Sequence, residues 1–184
     1  MSLFKKFAAT AMACTMVFGL AACGGTDTAE SETGKTYVIG TDTTFAPFEF
    51  TTDAGDFVGI DIDLMNAIAE DQGFTVEFNS LGFNAAVQAL EAGQVDGVIA
   101  GMSITDDRKE KFDFSEPYFD SGVVMGVKAD NETVKSYEDL AGQKVAVKIG
   151  TEGQAFAEKI KDQYGFTTVT FDDSNAMYMD VNAG

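Results

Sequence analysis

The sequence predicts an α/β protein, in which a mostly parallel sheet is covered by helices. The main observation is that short apolar segments alternate with helical segments from residue 36 to the end of the chain. A second is that two helical segments are followed by a glycine, Gly73 and Gly93, a frequent residue at helix ends. Because neighbouring parallel strands need a crossover connection, usually a helix, this alternation favours parallel pairing.

The first half of the chain is predicted to begin with a strand and to carry two helices. Asp61 is expected to cap the first helix, whose apolar face is Ile62, Met65 and Ile68. The predicted strands are residues 37–41, 75–78 and 97–100, with a hairpin of 48–50 and 57–58; the second helix is 84–92.

The second half repeats the alternation after an irregular segment at 112–118. We predict strands at 122–128, 144–148 and 168–171 and helices at 136–140, 152–164 and 174–181. Ligands of such proteins lie beyond the carboxyl ends of the strands. Three turns fall there: those after Thr41 and Lys148 and the loop 101–108.

The N-terminus has the pattern of an export signal. Lys5 and Lys6 precede the apolar stretch 7–20, which is too short for a permanent membrane span. The following Leu-Ala-Ala-Cys resembles a bacterial lipobox and predicts a signal peptide at 1–22, lipidation of Cys23 and a flexible tether over 23–35. The alternatives are an ordinary secretory peptide and an uncleaved membrane anchor.

Composition excludes several functions. The chain has no histidine, and its two cysteines are Cys14 and Cys23, so neither Ser-His-Asp nor Cys-His catalysis is available after export. A net charge of −18 disfavours binding to nucleic acid or to anionic membranes. No cofactor is expected. The acidic pairs at 61/63, 106–107 and 172–173 are interpreted as helix-opening residues instead of metal ligands.

Arg108 is the only arginine of the chain, since every other basic residue is a lysine. A guanidinium suits a fixed, two-pronged grip on a carboxylate or phosphate. The alternative is a surface arginine in a helix-opening Thr-Asp-Asp-Arg turn.

Five segments resemble one known family, the extracellular solute-binding proteins of polar amino-acid ABC importers, above all the glutamine-binding type. They are GTDTTFAPFEF (40–50), VGIDIDL (58–64), GMSITDDR (101–108), FDFSEPY (112–118) and YEDLAGQKVAVKIGT (137–151). The resemblance implies a type II periplasmic-binding-protein-like fold with two α/β lobes, 36–117 and 123–184, joined by a hinge at 118–122.

The resemblance also implies a role for each of eight residues. Arg108 would grip the α-carboxylate, supported by the backbone N–H groups of Ser103 and Glu152; the Gly101 carbonyl and the Ser103 hydroxyl would accept from the ammonium. Phe45 and Phe83 would enclose the ligand, and Asp42 and Lys148 would face its side chain. The alternatives are a turn residue for Asp42, core packing for the two phenylalanines and a solvated Lys148.

The chain departs from the family pattern in three places. Position 103 is often Thr and position 152 is often small in relatives, so Glu152 brings an additional carboxylate near that of the ligand. Relatives also continue past Gly184 to an acidic residue that holds the ammonium, so the second lobe is expected to be incomplete in this chain.

These observations predict a lipid-anchored, extracytoplasmic receptor that closes on a polar amino acid, with glutamine favoured, and delivers it to an ABC permease. It is expected to be monomeric, to touch the membrane only through its lipid, and not to be an enzyme. The alternatives are an extracellular sensor module and a periplasmic enzyme similar to cyclohexadienyl dehydratases.

Overall fold

Two separate parallel sheets organise the part of the chain that this computed structural model describes, residues 34–184. The predicted signal peptide, the lipidation at Cys23 and nearly all of the tether lie outside the described residues. The alternation of strands and helices expected from the sequence is present, and the α/β class is confirmed.

The first sheet has three parallel strands in the order β5-β1-β6. They are β1 (Thr36–Thr41), β5 (Thr75–Ser80) and β6 (Gly97–Val98). Helix α1 (Ile60–Gln72) packs on β5, and α2 (Phe83–Glu91) packs on β1 and β6. The crossover order places the carboxyl ends of β1 and β6 side by side, so the loops that follow both strands share one edge.

A small antiparallel sheet lies between β1 and α1 in the chain. It consists of β2 (Thr44–Phe45), β3 (Glu49–Thr51) and β4 (Phe57–Val58). The predicted hairpin is its β3–β4 half.

The second sheet pairs β7 (Lys144–Lys148) with β8 (Thr167–Phe171) in parallel. Helices α4 (Glu152–Tyr164) and α5 (Ser174–Ala183) pack on both strands, and a short 3₁₀ helix (Tyr137–Leu140) packs on α4. The buried core of this region is Leu140, Val147, Ala157 and Phe166.

Two expectations about elements are wrong. Residues 122–128 pair with no strand of the described chain, and Val124 is 87% exposed; strand-forming residues alone do not make a strand without a hydrogen-bonding neighbour. Helix α1 begins after Gly59, so Asp61 lies inside its first turn and does not cap it. None of the described helices is both long and apolar enough to cross a membrane.

Candidate functional site

All eight residues singled out in the sequence line one cleft. The cleft encloses about 1040 Å³ and extends from the edge of the first sheet over the second sheet. The fold thus brings together residues separated by as many as 110 positions, because the turns that follow β1, β6 and β7 meet there. The eight residues are Asp42, Phe45, Phe83, Gly101, Ser103, Arg108, Lys148 and Glu152.

Arg108 reaches into the cleft from the short helix α3 (Asp106–Lys109). Thr105 caps this helix by accepting from the Arg108 backbone N–H, so the predicted helix-opening turn is present. The side chain, however, is only 15% exposed. The alternative of a surface arginine is therefore wrong, and the guanidinium belongs to the wall of the cleft.

The Arg108 guanidinium already has several protein partners. Nη1 donates to the carbonyl of Ser103 at 2.8 Å, and Nη2 donates to the carbonyl of Gly150 at 3.0 Å. Nη2 also lies 3.3 Å from a carboxylate oxygen of Glu152. The Phe83 ring lies 5.6 Å from the guanidinium carbon, within cation–π range.

Asp42 and Lys148 form a buried ion pair at another part of the cleft. Their exposed fractions are 2% and 7%, and Lys148 Nζ donates to Asp42 Oδ2. Lys148 Nζ also lies 3.2 Å from Ser174 Oγ. The alternative of a solvated Lys148 is therefore wrong; the charge is buried and paired, as a buried charge must be.

Two residues of this network were missed in the sequence. Ser174, at the start of α5, and Thr44, in β2, are joined by a hydrogen bond from the Ser174 N–H to Thr44 Oγ1 at 3.2 Å. Thr44 also donates to the second Asp42 oxygen, at 3.3 Å. A hydroxyl residue at a predicted helix start was the available signal for Ser174, but nothing local indicates its partner.

The aromatic residues of the cleft pack on one another as well as lining it. Phe45 stacks on Phe48, with ring centres 5.2 Å apart. Gly101 has a φ of +53°, and a Cβ there would lie 2.7 Å from the Phe45 ring. Glycine at 101 therefore lets the loop backbone approach the ring closely.

A pair of buried carboxyl groups lies beside the Gly101 loop. Asp61 is 0% exposed and accepts from the Gly101 N–H at 2.7 Å and from the Tyr118 hydroxyl at 2.9 Å. These two hydrogen bonds, and not helix capping, satisfy the Asp61 carboxylate. Burial and the Asp61 charge raise the pKa of Tyr118.

Glu49 is the second member of this pair. It is also 0% exposed, and no N–H or O–H group of the described residues donates to its carboxyl oxygens. Burial, followed by the charge of Asp61, raises the pKa of Glu49 to about 10. Glu49 therefore holds its proton at neutral pH.

The acidic pairs of the sequence have structural roles at helix starts. Asp106 begins α3, and Asp173 caps α5 by accepting from the Ala176 N–H at 2.7 Å. Across residues 34–184, no group of three or more acidic, histidine or cysteine side chains is placed to hold a metal ion.

Comparison with known proteins agrees with this architecture. Residues 37–183 match the family of bacterial extracellular solute-binding proteins, family 3. The chain therefore belongs to that family, and its fold is periplasmic-binding-protein-like.

Individual relatives are amino-acid-binding proteins by name. The arginine-binding extracellular protein ArtP of Bacillus subtilis is 32% identical over 89% of this chain. Structures of an ancestral arginine-binding protein bound to arginine and of one bound to glutamine are each 41% identical over 81% of this chain, with TM-scores of 0.76. The chain spans 64% of ArtP and 66% and 65% of the two ancestral chains.

Proposed function

We propose that this protein binds a polar amino acid in the cleft between its two sheets. The observation that carries the proposal is that one cleft contains a mostly buried guanidinium, Arg108, and a separate buried ion pair, Asp42–Lys148. An amino acid has a carboxylate at one end and a variable group at the other, so two such polar positions suit it. Family membership and the names of the relatives support the proposal.

Each end of the ligand has candidate partners. Arg108 grips the α-carboxylate, and the backbone N–H groups of Ser103 and Glu152 donate to the same carboxylate. Glu152 begins α4, and the free amides at the start of a helix favour an anion. The Gly101 carbonyl and the Ser103 hydroxyl accept from the ammonium. Phe45 and Phe83 provide apolar walls between the two ends.

Asp42 and Lys148 favour glutamine among the polar amino acids. A carboxamide donates through its NH₂ and accepts through its oxygen, and the pair offers an acceptor and a donor for these. The guanidinium of an arginine ligand would be attracted to the Asp42 carboxylate but repelled by the Lys148 ammonium, because like charges at short range repel. We therefore place glutamine ahead of arginine.

The mechanism we propose is hinge closure of two lobes, residues 36–117 and 123–184, about the segment 118–122. Contacts between the two parts support it: the Asp42–Lys148 pair, the Ser174–Thr44 hydrogen bond and the Arg108–Gly150 hydrogen bond. A ligand that touches both parts stabilises the closed arrangement over the open one.

The biological setting follows from this mechanism. We propose that the closed form is recognised by an ABC permease, that the protein is a monomer, and that a lipid on Cys23 holds it at the outer face of the membrane. We propose binding and not catalysis because the candidate carboxylates Asp42 and Glu152 are paired with Lys148 and Arg108, whereas a general acid or base must exchange its proton with the substrate.

A thermal-shift screen of the full-length protein against the twenty amino acids tests the proposal. Glutamine is expected to raise the melting temperature, because a ligand at one hundred times its Kd stabilises the folded state by about 2.7 kcal/mol. Apolar amino acids serve as controls and should have no effect. If no amino acid raises the melting temperature, the proposed function is wrong.

A further inference from the structure

The cleft contains a carboxylate of its own opposite Arg108. We propose that Glu152 occupies Arg108 when no amino acid is bound, that the α-carboxylate of the ligand displaces it, and that Glu152 thereby limits the affinity of the site. This inference rests on the proposed function.

The hydrogen-bond geometry of Arg108 carries the first step. A guanidinium grips a carboxylate with two parallel N–H groups, and each of its two-pronged arrangements includes Nη2. Nη2 donates to the Gly150 carbonyl at 3.0 Å, and Glu152 Oε1 lies 3.3 Å from the same nitrogen as its ion-pair partner. A ligand carboxylate that approached Nη2 would meet the Glu152 carboxylate at short range, and like charges repel, so Glu152 has to turn away.

Glu152 is the partner that can leave at low cost. Its side chain is 36% exposed, so the released carboxylate reaches water, whereas the Gly150 carbonyl is fixed in the backbone just before α4. When the side chain turns away, the backbone N–H of Glu152 stays at the start of the helix. One residue thus supplies an amide that supports an anion and a carboxylate that competes with it.

The same pair also connects the two parts of the chain. Arg108 lies in α3, after the first sheet, and Glu152 begins α4, which packs on the second sheet. The contact therefore favours the closed arrangement without a ligand, and its removal should increase the separation of the two sheets in the ligand-free protein.

Titration calorimetry of the Glu152→Gln variant of the full-length protein tests the competition, with L-glutamine and L-arginine as probes. Glutamine at this position keeps the backbone N–H and the side-chain size but loses the charge. The amino acid that the wild type binds should bind about two- to fivefold more tightly to the variant, the range of a partly exposed ion pair. Glu158→Gln is the matched control, since it neutralises another α4 glutamate outside the cleft, and its affinity should equal that of the wild type.

A distance measurement on the ligand-free protein tests the connection independently of any amino acid. Spin labels are attached to cysteines placed at the exposed positions Asn66 in α1 and Gln163 in α4, with Cys14 and Cys23 replaced by serine. Electron–electron double resonance should show a longer or broader distance for Glu152→Gln than for the wild type or Glu158→Gln.

The outcomes separate the two proposals. If the wild type binds an amino acid and Glu152→Gln binds it equally well or more weakly, the competition is overturned and the proposed function stays intact. An unchanged spin-label distance would overturn the connection between the two parts. If the wild type bound neither probe and no other amino acid, the proposed function would fail and the competition with it.

Discussion

Glu49 and Asp61 carry carboxyl groups, yet both side chains are fully buried. They differ in their partners: Asp61 accepts hydrogen bonds from Gly101 and Tyr118, whereas no N–H or O–H group within residues 34–184 donates to Glu49. When two neighbouring carboxyl groups are buried, a second negative charge is disfavoured, and this raises the pKa of Glu49. At the scale of single residues, a protonated glutamic acid lies beside the loop that lines the cleft.

Replacing Glu49 by Gln should change how stability depends on pH. Because the folded-state pKa of Glu49, about 10, is above its ordinary value of 4.5, its favourable contribution is complete below pH 4.5 and is lost as the pH rises toward 10. Between these values the stability of the wild type should fall with rising pH more steeply than that of Glu49→Gln. Urea unfolding at a series of pH values measures this difference.

The exposed Glu70 offers a control for that experiment. Glu70→Gln should keep the pH dependence of the wild type. Identical pH dependence for the wild type and Glu49→Gln would show that the buried carboxyl group does not hold its proton.

At the scale of elements, the sequence predicted the parts that depend on local signals. Strand β7 and helix α4 have their predicted bounds, since an apolar run, a capping threonine and a terminal glycine act within a few residues. The strand expected at 122–128 is absent from the described chain because a strand depends on a partner. Asp61 was assigned to a cap because its true partners, Gly101 and Tyr118, lie 40 and 57 positions away.

The turn from β4 into α1 depends on Gly59. Its φ of 140° is a conformation that other residues rarely adopt, and a Cβ would lie 2.1 Å from the Phe48 carbonyl oxygen. Gly59→Ala should therefore reduce the free energy of unfolding by about 3 kcal/mol or more. Urea unfolding provides the measurement.

Gly55 provides the comparison for this prediction. It also has a positive φ, of 89°, but nothing lies within 4 Å of the position of a Cβ. Gly55→Ala should cost only the backbone strain, about 1–2 kcal/mol. Equal losses for the two variants would contradict the steric account of the turn.

At the scale of the whole molecule, contacts between distant parts of the chain define the candidate site. Asp42 and Lys148 are 106 positions apart, and Arg108 meets Gly150 across 42 positions. No local pattern predicts such contacts, so their grouping was expected only from the family resemblance and from the rule that strand ends share an edge. Neither source indicated that Glu152 pairs with Arg108.

Titration calorimetry of Arg108→Lys in the full-length protein, with L-glutamine, tests whether Arg108 holds the ligand carboxylate, on which the proposed function depends. Lysine keeps the charge but loses the two-pronged geometry. The free energy of binding should become less favourable by about 1.5–3 kcal/mol, the scale of a charged hydrogen bond. The neighbouring Lys109, which is 58% exposed, provides a control, and Lys109→Ala should bind as the wild type does. If Arg108→Lys binds glutamine as tightly as the wild type, Arg108 does not hold the carboxylate.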